Sequence, residues 1–365
     1  MNVINVGWKY GRFFIASIIG VIGTIMLVFG VSWLPLLLIG LGALAFVLDL
    51  TLGTDEEIYH YDNPGIFYPI QYASQISGVF TALMFAWMLG LPGDFLNISV
   101  GVHALTGFDM LTAHANDTFG MYASAFVLAA LTAAIGSIAI GHELTHRVNM
   151  PVAVFLGRVG EAFGMHTRFS IRHPYGHHNW VCTPKDPATA QRGENFYPFI
   201  LRSIIGQNIQ VWELEKHRLD KMDTPAWSWK NKALRGWGME LLVAITFYAA
   251  AGWVGVLGFL GIGLAVNIAL EFANYMEHFG LIRVPDQPQQ VRHAWNDNHK
   301  LTYWGTVAIS RHAHHHADAD IEFWNLRPFP NDSPQMPFGY ILTGLMATIP
   351  PLWHMVMNRK LIEWD

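Results

Sequence analysis

Four short stretches of this chain concentrate imidazole at spacings that suit metal chemistry. His142-Glu143-Leu144-Thr145-His146 sets two histidines four residues apart, which puts both rings on one helical face as a ligand pair requires. His173-Pro174-Tyr175-Gly176-His177-His178 supplies three more, and Asn274-Tyr275-Met276-Glu277-His278 a single one after a polar run. Arg311-His312-Ala313-His314-His315-His316 again places His312 and His316 on one face with His315 beside them. Nine well-placed imidazoles follow: His142, His146, His173, His177, His178, His278, His312, His315 and His316. They exceed the needs of one ion and suit two, with four or five ligands each.

Imidazole accepts Zn, Cu, Fe or Ni, so ligand type alone leaves the metal open. A zinc-protease reading uses His142, His146, one further ligand and Glu143 as base, and leaves six or more histidines unemployed. A metal transporter would need polar residues across its spans, whereas the first four have no histidine or charge in their middles. Helical spacing makes Asn267, Glu271, Asn274 and His278 one polar face in an apolar run, and a carboxylate at such depth is a functional candidate. Glu143, Asp186, Glu277, Asp318 and Asp320 are candidates to orient a ligand ring through its second nitrogen. His314 is one histidine too many and is read as supporting or solvent-facing. No convincing nucleophile–base pair accompanies these groups.

The elements that must position the histidines are membrane spans. Hydrophobic residues make up 52% of the 365, and charged residues only 13%, too few to cover a large aqueous surface. The net charge of −5 and the lack of basic runs exclude nucleic-acid binding. A single cysteine, Cys182, excludes an internal disulfide or a four-thiolate cluster. Uncharged stretches predict an all-α integral membrane protein of six transmembrane helices, at 13–31, 33–48, 70–90, 119–141, 241–254 and 257–277. The uncharged run 241–270 is too long for one crossing, and Gly252, Gly255 and Gly258 offer a turn. Six spans also leave every one of the 22 lysines and arginines on the side of the N-terminus. That asymmetry predicts cytoplasmic termini, cytoplasmic segments 142–240 and 278–365, and all four histidine clusters on one face. The apolar stretch 338–357, with Pro350–Pro351, reads as a helix on or under the membrane. One integral domain, 1–365, is expected, with no cleavage site after the first span.

The motifs together resemble the integral-membrane non-haem di-iron family of alkane hydroxylases and xylene-type monooxygenases, and more distantly the membrane fatty-acid desaturases. HELTH at 142–146, HPYGHH at 173–178, TPKDPATAQRGENFYPF at 183–199, NYMEHFGL at 274–281 and RHAHHHA at 311–317 carry the resemblance in the family's order. The chain departs from the usual pattern at Arg147, Arg172, Phe279 and His314, none of which removes a ligand position.

The resemblance implies a cytoplasmic histidine-rich di-iron site holding two Fe, with O2 as co-substrate and hydroxylation of an unactivated C–H bond of an n-alkane or alkyl-aromatic. A fatty-acyl desaturase or hydroxylase is the alternative with the same iron chemistry. The substrate would be apolar and drawn from membrane lipid, with Trp33, Phe80, Phe85 and Trp87 as possible wall residues. Without a cluster of its own the chain would take electrons, ultimately from NAD(P)H, from a separate rubredoxin or ferredoxin-type reductase on its basic cytoplasmic face. A bacterial inner membrane is the expected location.

Overall fold

The computed structural model describes residues 3–364 and is all-helical; among these residues only two isolated β-bridges occur. Five segments are long and apolar enough to cross a membrane: Gly7–Val28, Leu34–Thr51, Pro64–Leu89, Phe119–His146 and Lys232–His278. The protein is therefore an integral membrane protein.

The last segment runs 47 residues, which as one rod would measure roughly 70 Å, more than twice a hydrocarbon core. It is broken. Ala251 and Gly252 leave helical geometry, and Gly252 takes φ 60°, ψ −144°, a conformation open essentially only to glycine. The chain then folds back on itself: the rings of Phe247 and Phe259 lie 5.4 Å apart, where an unbroken helix would hold them about 18 Å apart. A Cβ on Gly255 would lie 2.0 Å from the Phe247 carbonyl oxygen, so only glycine admits the close approach.

Several boundaries differ from the expected ones. The first span starts earlier and takes in Lys9 and Arg12. Arg12 is buried because Asp55 (3.0 Å) and Tyr61 (2.6 Å) accept its hydrogen bonds, so a charge-free window misplaces the helix start. The fourth span continues to His146, carrying the first histidine pair on its final turns. The fifth begins at Lys232, nine residues before the uncharged run. The tail forms two helices, Tyr340–Ala347 and a second starting at Pro350, bent by 119° to each other.

The third span packs against the first, the fourth and the long helical hairpin. Trp87, Met88, Ala125, Leu128, Phe247 and Phe259 form the core there. A second core, of Tyr275, Phe279, Trp295 and Trp353, clamps the His278 end of the hairpin to the tail helix. A third joins Phe13 of the first span and Phe67 of the third to Tyr303 and Phe323, which flank the last histidine cluster in the chain.

Replacing Gly255 by leucine should separate the two arms of the hairpin at a cost of about 1–3 kcal/mol, typical of overpacking. Gly238 has open space where its Cβ would lie, so Gly238→Leu should stay within about 0.5 kcal/mol of the parent. Thermal unfolding of both variants in detergent checks the pair.

Candidate metal centre

The first histidine pair sits just past a distortion. Ile135–Ile140 of the fourth span is π-helical, a wider turn in which the Gly141 backbone N–H donates to Gly136 O. Gln75 Nε2 of the third span reaches in and donates to Gly136 O at 2.7 Å. The second cluster uses the same device, for His173–His177 is also π-helical. His278 ends the long hairpin, and the short helix His312–Ala317 carries the last three.

These four segments bring the nine histidines into two groups. His142, His146, His173, His178 and His315 form one, and His177, His278, His312 and His316 the other, with the ligand atoms of each group all within 4.8 Å of one another. In the first group, Nε2 of His142 stands 2.8 Å from that of His173 and 2.9 Å from that of His315. His178 Nε2 lies 2.9 Å from His173 and 3.0 Å from His315. In the second, His312 Nε2 is 3.2 Å from His278 and 2.9 Å from His316. The groups adjoin, since the rings of His178 and His316 stack with centroids 4.7 Å apart.

This donor set fits metal ions. Nitrogens about 2.1 Å from a common centre and at right angles to each other stand about 3.0 Å apart, which is the spacing observed. Without a cation the arrangement is unfavourable, because several lone pairs face one another in a dry interior and His146 Nε2 is buried with no hydrogen-bond partner among the described residues. Burial, and then the neighbouring histidines, hold His173, His178, His315 and His316 well below the ordinary imidazole range, and push His312 down to about 3. The rings are neutral, which is the ligating form.

The supporting side chains are fewer than the sequence suggested. His177 Nδ1 donates to Asp186 Oδ2 at 2.9 Å, which leaves Nε2 as the lone-pair nitrogen. Burial alone would raise the Asp186 carboxyl, but His177 and Arg172 beside it hold it far below the usual carboxylate range. Arg172, one of the departures from the family pattern, thus neutralises Asp186 while Gln210 Oε1 accepts its Nε–H at 3.2 Å. Glu277 turns its carboxylate toward the second group, with Oε2 3.3 Å from His312 Nε2, and accepts a short hydrogen bond from Tyr340.

The other candidates do different work. Glu143 pairs with Arg147 at 2.8 Å and contacts no ligand ring among the described interactions, which removes the base that a zinc-protease reading requires. Asp318 is exposed, and its Oδ1 accepts only from the Asp320 backbone N–H. Asp320 contributes its carbonyl oxygen to Arg147. His314 stands outside both groups, where its Nδ1 accepts from the Arg327 backbone N–H at 2.9 Å. Glu271 accepts from Gln207 at 2.7 Å and from Asn274 at 3.3 Å, an interhelical bond rather than a contact to a ligand. Asn267 instead bonds Arg168.

Two supporting residues are not among the sequence candidates, although Arg311 opens the last histidine motif. Gln289 Oε1 accepts from His316 Nδ1 at 3.0 Å, out of a loop with no periodicity. Arg311 is buried and donates to the carbonyls of Leu326 (2.7 Å) and Asp55 (2.8 Å), pinning the helix of His312 to the loop after the second span.

A cavity of about 570 Å³ opens onto His142, His173, His177 and His312. Leu131, Ile135, Ile138, Leu270, Phe272 and Leu345 supply much of its wall, and its lining includes no lysine or arginine. Trp33, Phe80, Phe85 and Trp87 do not line it. Trp33 and Phe80 are exposed at the outer surface of the bundle, and Phe85 and Trp87 are core.

Asp186→Asn should destabilise the fold, because it leaves the buried Arg172 charge without its carboxylate, and should lower metal affinity about 10–100-fold, the usual effect of losing a carboxylate behind a ligand histidine. Metal content per chain after graded dialysis against a chelator reads this directly.

A sequence model of the fatty acid desaturase family matches residues 118–343, which contain all nine histidines. An alkane 1-monooxygenase of Acinetobacter baylyi is 35% identical over 238 residues, 63% of this chain and 58% of the relative. Alkane 1-monooxygenase 2 of Alcanivorax borkumensis is 35% identical over 61% of this chain and 59% of its own length. The hydroxylase component of a xylene/toluene monooxygenase from Pseudomonas putida is 29% identical over 63% of this chain and 62% of its length. The matched region therefore spans about three-fifths of each of these relatives. With the family model covering more than half of the chain and every histidine of both groups, this protein belongs to the fatty acid desaturase family.

Proposed function

We propose that this chain is an O2-dependent monooxygenase that hydroxylates a terminal methyl group of an apolar substrate, such as an n-alkane or alkyl-aromatic, to the alcohol. The observation that carries the reading is the junction of two all-histidine groups with an apolar cavity. The names of the relatives, alkane 1-monooxygenase and xylene/toluene monooxygenase, point the same way.

In this reading the five-histidine group and the four-histidine group each hold one iron. When bound, the irons supply activation of O2, with two electrons and two protons taken up, one oxygen atom leaving as water and the other entering the C–H bond. The chain's own part is to position, dry and protonate. The fourth span lines the cavity from His142 back to Leu131, about 16 Å along the helix, so an extended hydrocarbon can lie beside it with one end at the histidines. Apolar walls exclude water from the reacting end. Tyr340 and Glu277 form a hydrogen-bonded pair on the cavity wall beside His312, a route for a proton at the Glu277 carboxylate.

Acyl-chain desaturation would use the same metal chemistry. It is the weaker reading, because the named relatives are monooxygenases. Electrons would come from NAD(P)H through a rubredoxin or ferredoxin-type reductase docking on the basic cytoplasmic face, with the chain in a bacterial inner membrane.

Whole cells co-expressing such a donor and offered octane, hexadecane and a xylene should form alcohol from at least one of them, and His312→Ala should abolish the product. Absence of any alcohol from membranes loaded with iron would contradict the reading. Leu131→Trp, which narrows the far end of the cavity, should shift the product ratio toward the shorter alkane by about tenfold or more, the scale of one clash in a hydrophobic pocket.

A further inference from the structure

The chemistry proposed above leaves the larger cavity of the protein unused. It holds about 960 Å³ and reaches the histidine groups through His146 and Pro174 rather than through His142 and His173. Its wall is divided by polarity. Arg158, Lys232 and Arg235 contribute three cations, while Phe155, Phe163, Leu242 and Val243 contribute an apolar surface. Asp320 is the one acid on the lining, so positive charge is in excess by two. None of the three cations forms an ion pair among the described residues. Arg158 donates to Ser170 Oγ at 2.8 Å, and Lys232 lies 5.6 Å over the Tyr175 ring. The nearby carboxylate of Glu215 is taken by Arg218 and by the Lys232 backbone N–H.

The cavity also sits at a definite level. Lys232 and Arg235 occupy the first turn of the long helix, and the uncharged run begins at Leu241. Just before them Trp227 and Trp229 stand 77% and 76% exposed, as tryptophans do where headgroups meet hydrocarbon. Phe155 and Leu242 are exposed as well, so the apolar half opens toward the bilayer.

The geometry points to a binding site for one anionic phospholipid, its phosphodiester held by Arg158, Lys232 and Arg235 and an acyl chain lying along Phe163, Leu242 and Val243. A free phosphate ion has no use for the apolar half, and a neutral hydrocarbon has none for three cations. This inference does not depend on the reaction proposed above.

Native mass spectrometry of the detergent-purified, metal-loaded protein, titrated with phosphatidylglycerol, phosphatidylcholine and inorganic phosphate, tests it. The expected result is one phosphatidylglycerol bound in preference to phosphatidylcholine. Affinity should fall about fivefold in Arg235→Gln and on the order of a hundredfold in the triple variant Arg158→Gln, Lys232→Gln, Arg235→Gln, since each headgroup cation contributes about 1 kcal/mol. Arg359→Gln with Lys360→Gln, on the tail helix, should bind like the parent. Arg235 is exposed, so its single variant decides the matter if the triple variant fails to fold. Equal binding of the two lipids, unchanged affinity in Arg235→Gln, or displacement of phosphatidylglycerol by millimolar phosphate would each overturn the assignment.

Discussion

The interaction on which the rest depends is the mutual approach of neutral imidazole nitrogens in a water-free interior. Among the Nε2 atoms of His142, His173, His178 and His315, five of the six pairs stand 2.8–3.3 Å apart, so each atom has more than one neighbour. A proton can bridge one such contact, but it brings a charge into low dielectric and leaves the other contacts as facing lone pairs. A divalent ion satisfies all of them together. The fold therefore stores an arrangement that is unfavourable by itself and becomes favourable when cations enter.

Much of the architecture counteracts that repulsion. Two π-helical turns, at Ile135–Ile140 and His173–His177, lie beside ligand histidines, and Gln75 adds a second hydrogen bond to the Gly136 carbonyl of the first. Buried arginines hold the loops that complete the groups: Arg311 through carbonyls of the 55–57 and 326 segments, Arg172 through Asp186, and Arg12 through Asp55. Buried ion pairs of this kind contribute little net stability compared with apolar packing, and removing one partner is costly. Their use here is to fix position, because a ring nitrogen displaced by 1 Å no longer meets its ion.

The sequence makes some of this legible and hides the rest for physical reasons. Apolar runs and charge asymmetry point to an all-helical membrane protein, because hydrocarbon tolerates neither open strands nor unpaired charge. Spacings of four residues single out His142 with His146 and His312 with His316, because helical periodicity is a local property. The partition into five and four histidines is not local: His177 and His178 are adjacent yet belong to different groups. Acidic neighbours in sequence are uneven guides: Glu143 leaves its helix away from the rings and pairs with Arg147, Asp318 and Asp320 lie past the end of the helix of His312, and Glu277 does face the second group. Gln289 and Arg311 act through contacts between segments far apart in the chain, which periodicity cannot reveal. The start of the first span is hidden from a charge-free window because Asp55 neutralises Arg12 from a separate loop.

If the two histidine groups each hold one iron, metal analysis of the purified protein, with X-ray absorption at the iron edge, should find two irons per chain in a nitrogen-dominated shell. His146→Ala and His278→Ala should each deplete the site on its own side. One ion per chain, or zinc with no iron, would contradict the proposal.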